Sequence, residues 1–277
     1  MTPPGAARGG LLLASMLLAA FALGDDQAVP LTVCADPNDL PFSNDAQRGF
    51  ENRIAQLIAG DLHRPLRYVW WSQRRGFVRK TLGAARCDLW LGVAHGMEQV
   101  VSTRPYYRST YVFATRESDG LAGLTLDDPR LRSRLIGVQM LGTESNNTPP
   151  AHALAERGLI SNVRGFMVYG DAAQANPSAA ILDALVKRQI DIAVVWGPQA
   201  GFYARHSRVA LHLEPVIPAA DPTAPMTYEI SMAVRVEGPL RPLIETTLEA
   251  EAPRIHAILE DYGIPQLPLR TPAGAAR

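Results

Sequence analysis

Short apolar runs alternate along the chain with stretches in which apolar residues recur every three or four positions. The runs predict buried strands, and the spaced pattern predicts helices with one apolar face. The predicted strands are residues 31–35, 66–71, 87–93, 109–115, 135–139, 163–168, 190–196 and 229–236. The predicted helices are residues 49–62, 77–85, 148–157, 178–188, 199–205 and 240–262, the last interrupted near Pro253.

Strands that alternate with helices favour an α/β fold over an all-β fold. The alternation runs through residues 31–115 and restarts at residue 135, so we predict two lobes, each a mainly parallel sheet flanked by helices. The two connections between the lobes, near residues 115–121 and 213–228, would form a two-segment hinge. Ligands of such sheets bind beyond the carboxyl ends of the strands, which predicts a cleft between the lobes.

The predicted division of the chain follows from this pattern. A signal peptide occupies residues 1–24, lobe 1 residues 25–116 plus 228–265, lobe 2 with the hinge segments residues 117–227, and a loose C-terminal tail residues 266–277.

The N-terminus has the features of an export signal. Arg8 precedes an apolar run over residues 11–23, which is shorter than the ~20 residues that a membrane-spanning helix needs. Ala22 and Gly24 are small residues at the positions that a signal peptidase reads, so we predict cleavage after Gly24. An N-terminal membrane anchor is the alternative. We expect a periplasmic protein that has no membrane span once the signal is removed.

The two cysteines, Cys34 and Cys87, fall in the first and third predicted strands. An oxidising compartment favours a disulfide between them, and the two strands are neighbours if the first lies between the second and third. Two buried thiols are the alternative, and a nucleophilic cysteine is less favoured because no histidine is near in sequence. Two cysteines cannot form a four-thiolate zinc site, and no histidine pair has metal-helix spacing, so we predict no metal site.

Composition and charge exclude several classes of protein. Hydrophobic residues make up 47% and charged residues 19% of the chain, as in ordinary globular proteins, which argues against a disordered chain or a coiled coil. The 27 basic residues equal the 27 acidic ones, so the surplus typical of nucleic-acid binders is missing. No nucleophile elbow, P-loop or dinucleotide glycine fingerprint occurs, and we therefore expect a binding protein rather than an enzyme.

Several motifs resemble those of the type II periplasmic solute-binding proteins. A strand is followed by Asp36-Pro-Asn-Asp-Leu-Pro-Phe42, Gly49-Phe-Glu51 opens a helix, and Thr103-Arg-Pro-Tyr-Tyr107 precedes the crossover strand. The same scheme accounts for the strings at residues 87–88, 136–139, 142–143 and 190–195. The resemblance covers about residues 31–265. It implies the two-lobed fold of that family, with a ligand cleft between the lobes.

A narrower resemblance rests on the strings at residues 33–44, 49–54, 68–71, 73–79, 103–113, 147–152 and 195–198. These are similar to the periplasmic binding-protein-like components encoded beside quinoprotein methanol dehydrogenases, the MxaJ/XoxJ type. The resemblance implies an accessory that assists the assembly or activation of a PQQ-dependent methanol or alcohol dehydrogenase. The PQQ, with calcium or a lanthanide, would be carried by that partner, and no cofactor by this chain.

The charged anchors of the amino-acid-binding branch of the fold are replaced in this sequence. That branch holds the ligand carboxylate with an arginine after the third strand and the ligand ammonium with an acidic residue at the end of the last strand of lobe 2. In this sequence the arginine position falls at or near Met97, and the acidic position falls on Trp196. A bound α-amino acid would leave two charges unpaired, at a cost of several kcal/mol. The alternative function is therefore an ABC-importer solute-binding protein for a small aromatic or weakly charged ligand.

The predicted cleft is aromatic and apolar, which suits a flat ligand or a protruding segment of another protein. The alternative for its tryptophans is that they only pack the lobe. Arg74 and Arg75 open a basic cluster that is either solvated surface or a docking patch for an acidic partner. Gly142 and Thr143 precede a helix start, as an anion site or a capped turn. The candidate ligand- or partner-binding residues are Asp36, Asn38, Leu40, Phe42, Trp71, Arg74, Arg75, Tyr107, Gly142, Thr143, Tyr169 and Trp196.

Overall fold

The computed structural model describes Met1 and residues 28–141, 147–168, 176–217 and 225–270. Apart from Met1, the predicted signal peptide lies outside these residues, as does most of the predicted C-terminal tail. Among the helices of the described residues, none has both the length and the apolar content needed to cross a membrane.

The strands and helices alternate as predicted for an α/β fold. The strands are β1 (Leu31–Ala35), β2 (Asn38–Asp39), β3 (Ser43–Asn44), β4 (Leu66–Trp70), β5 (Leu89–Ala94), β6 (Val101–Ser102), β7 (Tyr107–Arg116), β8 (Ile136–Met140), β9 (Val163–Met167), β10 (Ile192–Trp196), β11 (Leu211–Pro215) and β12 (Thr227–Val234). The α-helices are α1 (Phe50–Asp61), α2 (Phe77–Lys80), α3 (Pro149–Glu156), α4 (Ala180–Val186), α5 (Gly197–His206), α6 (Leu240–Ala250) and α7 (Ala252–Asp261). Short 3-10 helices occupy Glu117–Asp119, Pro129–Ser133 and Pro177–Ala179.

The main sheet has the strand order β4-β1-β5-β12-β7-β10-β8-β9. At one end β1 pairs in parallel with both β4 and β5, and at the other end β8 pairs in parallel with both β9 and β10. In each of these three-stranded units the first strand in sequence lies in the middle, as we predicted for β1. The long antiparallel strands β12 and β7 join the two units.

Strand β7 belongs to both halves of the sheet. Its residues Tyr107 to Thr110 pair with β12, and from Tyr111 onward it pairs with β10 and β11. The change of partner therefore falls between Thr110 and Tyr111, inside a continuous strand and ahead of the predicted hinge segment 115–121. Strand β11 begins at Leu211, two residues before the second predicted hinge segment (213–228), and ends inside that segment at Pro215. The lobe boundaries themselves stay a prediction.

Helices cover both faces of the second half of the sheet. Ile192 and Val194 of β10 pack on one face, in a cluster with α3, whereas Ala193 and Val195 pack on the other face, in a cluster with α4. Because successive side chains of a strand point to opposite faces, burial on both sides requires an uninterrupted apolar run. This is why β10, from Ile192 to Trp196, shows no polar alternation.

In the first half of the sheet, α1 packs against β1 and β5. Phe50, Ile54 and Ile58 recur at helical spacing and are fully buried. Helices α6 and α7 complete this core. The helical segment is interrupted between them at Glu251, two residues before Pro253, as predicted. Pro253 falls in the first turn of α7, where its missing amide hydrogen costs no helical hydrogen bond.

The predicted disulfide is confirmed, since Cys34 on β1 is bonded to Cys87 just before β5, with 5.6 Å between their Cα atoms. Phe77 and Trp90 pack beside it with their ring centroids 5.1 Å apart. Trp90 is therefore a core residue. Helix α2, which contains Phe77, ends at Lys80 and is shorter than the predicted helix over residues 77–85.

Candidate functional site

A cavity of about 550 Å³ opens between the two parallel units of the sheet. Its walls come from residues that follow the carboxyl ends of β1, β4, β8 and β9, from the end of β10, and from β7 and β12, which join the two units. The location agrees with the rule for open α/β sheets. The described lining residues are Asp39, Phe42, Glu51, Gln73, Gly92, Tyr107, Tyr111, Gln139, Leu141, Asn147, Thr148, Pro149, His152, Val168, Trp196, Gln199, Pro225, Tyr228 and Ile230.

An aromatic wall lies where β10 ends. The ring of Trp196 packs edge-on against Tyr111 on one side and against Tyr228 on the other, with centroid distances of 5.2 and 5.9 Å. Strand register places Trp196 directly opposite Tyr111. The cavity therefore has a rigid apolar surface that belongs to β7, β10 and β12 together.

A polar network fixes the backbone around Trp196. The Gln139 side chain accepts a hydrogen bond from the Trp196 amide at 3.2 Å and donates one to Gln199 at 2.5 Å. The Thr148 hydroxyl donates to the Gln139 carbonyl at 2.5 Å. Gly197 begins α5 directly behind the ring, and a Cβ at that position would lie 2.5 Å from the Thr110 carbonyl oxygen. The wall is thus set by close packing as well as by strand pairing.

A second feature of the cavity is the start of α1. The backbone amides of Phe50 and Glu51 donate to the carbonyls of Pro41 and Phe42 at 2.8 and 2.9 Å. A Cβ at Gly49 would overlap the Phe42 carbonyl, so the close approach of these two segments requires glycine there. This packing turns the first turn of α1 toward the cavity and explains the Gly49-Phe-Glu51 motif.

Glu51 is 4% exposed, although it belongs to the polar first turn of a helix. No hydrogen bond to its carboxyl group comes from the described residues, and a Cβ at Gly92 would overlap its Oε1 atom. Burial, then the negative charges of Asp39 and Asp36, raise the pKa of Glu51 to about 8. Burial and then Asp36 raise the pKa of Asp39 to about 7, against a hydrogen bond from Ser178.

These two acidic groups correct our expectation that the cleft is aromatic and apolar. The sequence does not mark them as cavity residues, because both belong to motifs that are typical of the fold. A carboxylate in the first turn of a helix ordinarily faces solvent, and nothing local in the sequence signals that Gly92 and the loop after β1 enclose it. The available signal was the family motif Gly-Phe-(Asp/Glu), which places an acidic residue at this helix start.

Three of the predicted site residues, Phe42, Tyr107 and Trp196, line the main cavity. Burial, then the charge of Glu51, raise the pKa of the Tyr107 hydroxyl well above its ordinary value. That hydroxyl therefore stays protonated and is available as a hydrogen-bond donor.

Three more predicted residues, Asp36, Asn38 and Arg74, line a small cavity that shares Asp39 with the main one. The Asp36 carboxylate accepts hydrogen bonds from the backbone amides of Asn38 and Gln73, at 2.8 and 2.6 Å. Asp36 thus joins the loop after β1 to the segment after β4, and its described contacts support the walls of the site.

Leu40, Trp71 and Arg75 belong to the described lining of neither cavity. The Leu40 carbonyl accepts a hydrogen bond from Ser178. Trp71 packs in the cluster around the disulfide, with Lys80 and Arg86 over its ring at 5.7 and 5.4 Å.

The structure describes only some of the remaining residues that the sequence singles out. Gly142, Thr143 and Tyr169 lie outside the described residues. Met97, at the expected arginine position, lies in the turn after β5 and is 36% exposed, outside the described lining of the main cavity. Within the described ranges, no group of three or more His, Cys, Asp or Glu side chains is arranged to hold a metal ion.

The fold and the interlobe position of the cavity define the chain as a member of the type II periplasmic binding-protein class. No protein-family model matches it. It is 31% identical over 263 residues to Protein MoxJ of Paracoccus denitrificans, covering 92% of this chain and 95% of that protein. It is 30% identical over 253 residues to Protein MoxJ of Methylorubrum extorquens, covering 86% and 82%.

Among solved structures, the chain is similar to the periplasmic binding protein XoxJ from Methylobacterium extorquens AM1. The sequence identity is 37% and the TM-score is 0.72, over 86% of this chain and all of that one. The chain belongs to the MoxJ/MxaJ/XoxJ family.

Proposed function

We propose that this chain is a periplasmic accessory protein of a PQQ-dependent methanol or alcohol dehydrogenase, and that it assists assembly or activation of the enzyme by binding it. Family membership and the sequence motifs support this proposal. In it, the chain is exported by its N-terminal signal and performs no catalysis. The dehydrogenase carries PQQ with calcium or a lanthanide, and this chain binds neither.

The observation that carries the proposal is the aromatic wall of Trp196, Tyr111 and Tyr228 in a cavity whose described lining contains no Lys or Arg. A cavity of this kind lacks the guanidinium that would hold the carboxylate of an α-amino acid. Rigid aromatic side chains in a concave site are the residues that dominate protein–protein contacts. The cleft is therefore suited to a protruding segment of the dehydrogenase.

The direct test is light scattering or a pull-down with the dehydrogenase from the same organism, in cofactor-free and cofactor-loaded forms. We expect association with at least one form, weakened about 30-fold by Trp196→Ala, which is the effect of losing a hot spot of about 2 kcal/mol. Trp70→Ala is the matched control, because Trp70 stacks on Tyr68 outside the described lining of the cavity. Failure to associate with either form would contradict the proposal.

The second candidate is a solute-binding protein of an ABC importer, for a small aromatic or weakly charged ligand. It is favoured by the cavity volume of about 550 Å³, which lies within the ordinary range for small-molecule sites. A tight ligand would raise the free energy of unfolding by about 2.7 kcal/mol at a hundredfold excess over its dissociation constant. Thermal-shift screening separates the two functions, because the accessory role requires no such ligand.

A further inference from the structure

Several hydrogen-bond acceptors face the main cavity without enough donors. The Glu51 carboxyl group has no hydrogen-bond donor among the described residues, although Glu51 is 4% exposed. The side-chain oxygen of Asn147, on the opposite wall, is buried and has no donor either. Asp39 lies on the same lining as Glu51. A buried acceptor without a donor costs free energy, so these groups indicate a ligand that donates.

The acidic side chains Glu51 and Asp39 also have no Lys or Arg partner in the described lining of the main cavity. None of the described salt bridges involves Glu51, Asp39 or Asp36. His152 is the one basic side chain of the described lining. The sequence adds no Lys or Arg in residues 142–146, 169–175 or 218–224, the segments that adjoin the lining residues Leu141, Val168 and Pro225. Arg74 lines the small cavity beside Asp36 and Asp39 but not the described part of the main one. The main cavity therefore receives no Lys or Arg partner for Glu51 from these parts of the chain.

The aromatic rings of the cavity suit the same kind of ligand. Phe42, Tyr107 and Trp196 line it together with the two acidic side chains. A cation over the face of an aromatic ring is attracted by the ring quadrupole, and the attraction grows when water is excluded. An ammonium group on a carbon chain satisfies both parts of the wall, with the charge toward the carboxylates and the chain against the rings. A calcium ion needs six to eight oxygen ligands, more than two carboxylates and one amide provide.

We propose that the inner end of this cleft binds an alkylammonium group, with its positive charge between Glu51 and Asp39 and its carbon chain against Trp196 and Phe42. The group is either the side chain of a lysine on a partner segment or a free amine. This inference deepens the proposed function and rests on its claim that the cleft is the binding site. Its test uses small probes and no dehydrogenase, so the inference and the proposed function can fail separately.

The test is calorimetric titration of the full chain at pH 8 with phenethylammonium, the neutral 2-phenylethanol and the anionic phenylacetate. We expect phenethylammonium to bind about 30-fold more tightly than the alcohol and phenylacetate to bind most weakly. Glu51→Gln keeps the side-chain volume and should weaken phenethylammonium binding at least about tenfold, leaving the alcohol unchanged. Asp39→Asn is a second variant with the same expectation. Glu98→Gln, which removes an exposed carboxylate after β5, should change nothing.

Two further arms identify the source of the ammonium group. A short capped peptide with one lysine between leucines is compared with the same peptide containing norleucine. Tighter binding of the lysine peptide than of the free amine assigns the site to a partner segment, and the reverse order assigns it to a free amine. Equal binding of the amine and the alcohol, unchanged amine binding by the two variants, or displacement of the amine by micromolar calcium or lanthanum would overturn the proposal.

Discussion

The buried carboxyl group of Glu51 gives the protein a specific dependence of stability on pH. The folded protein keeps this proton up to about pH 8, whereas an unfolded chain releases it near pH 4.5. Between these values unfolding releases a proton, so the free energy of unfolding falls as the pH rises. The full slope for one proton is about 1.4 kcal/mol per pH unit. Because the slope is smaller near each pKa, the loss between pH 5 and pH 8 amounts to about 3–4 kcal/mol.

The Glu51→Gln variant removes this proton without removing the side chain. Its stability should fall with pH much less steeply, so that it equals the wild type within about 1 kcal/mol at pH 5 and exceeds it by about 3 kcal/mol at pH 8. The other titratable side chains near Glu51 are the same in the wild type and the variant, so they do not distinguish the two proteins. These are Asp36, Asp39, His152 and Tyr107. Asp39 contributes a similar dependence of its own, with its pKa raised to about 7, and this part stays in the variant.

The assay is urea unfolding followed by tryptophan fluorescence at pH 5, 6, 7 and 8, with the disulfide intact. Glu98→Gln is the control, because its exposed carboxyl group should leave the pH dependence unchanged. If the wild type and Glu51→Gln lose stability in parallel over this range, the carboxyl group is not desolvated as the structure indicates.

Three other predictions concern packing and cross-linking. Gly92→Ala should destabilise the fold by about 1–3 kcal/mol, because the new Cβ would overlap the buried Oε1 atom of Glu51. Gly60→Ala on α1 has open space around the new Cβ and should stabilise the fold by about 0.5–1 kcal/mol. Equal effects of the two substitutions in urea unfolding would refute this prediction. Replacing both Cys34 and Cys87 by serine should cost about 4 kcal/mol, since the bond closes a loop with a sequence separation of 53 residues, and an unchanged urea midpoint would count against it. Arg116→Met should cost about 3–5 kcal/mol by leaving buried carbonyl and carboxylate groups without their partner, and calorimetry showing a loss below 1 kcal/mol would contradict it.

Local patterns were sufficient to predict most of the elements and the disulfide. The run at residues 190–196 predicts a strand buried on both faces, and the order of the first three strands brings Cys34 beside Cys87. These predictions succeed because each depends on periodicity or on a known sheet connection.

The features that local patterns do not predict depend on contacts between residues distant in sequence. Strand β7 passes from one half of the sheet to the other without any break in its sequence pattern, so the sequence does not indicate where its pairing partner changes. Glu51 is buried only because Gly92, more than 40 residues away, leaves room for its oxygen. Trp71 and Trp70 differ in surroundings because the first packs at the disulfide and the second on Tyr68, and their adjacency in sequence does not decide which one faces the cleft.

The most direct test of the central claim is hydrogen–deuterium exchange of the chain with and without the cofactor-free dehydrogenase. If the cleft is the binding site, the enzyme should slow exchange in the loop after β1, at the start of α1 and around Trp196, and leave the helical surface of α6 unchanged. Slowed exchange confined to other surfaces, with the cleft exchanging as in the free protein, would contradict the account.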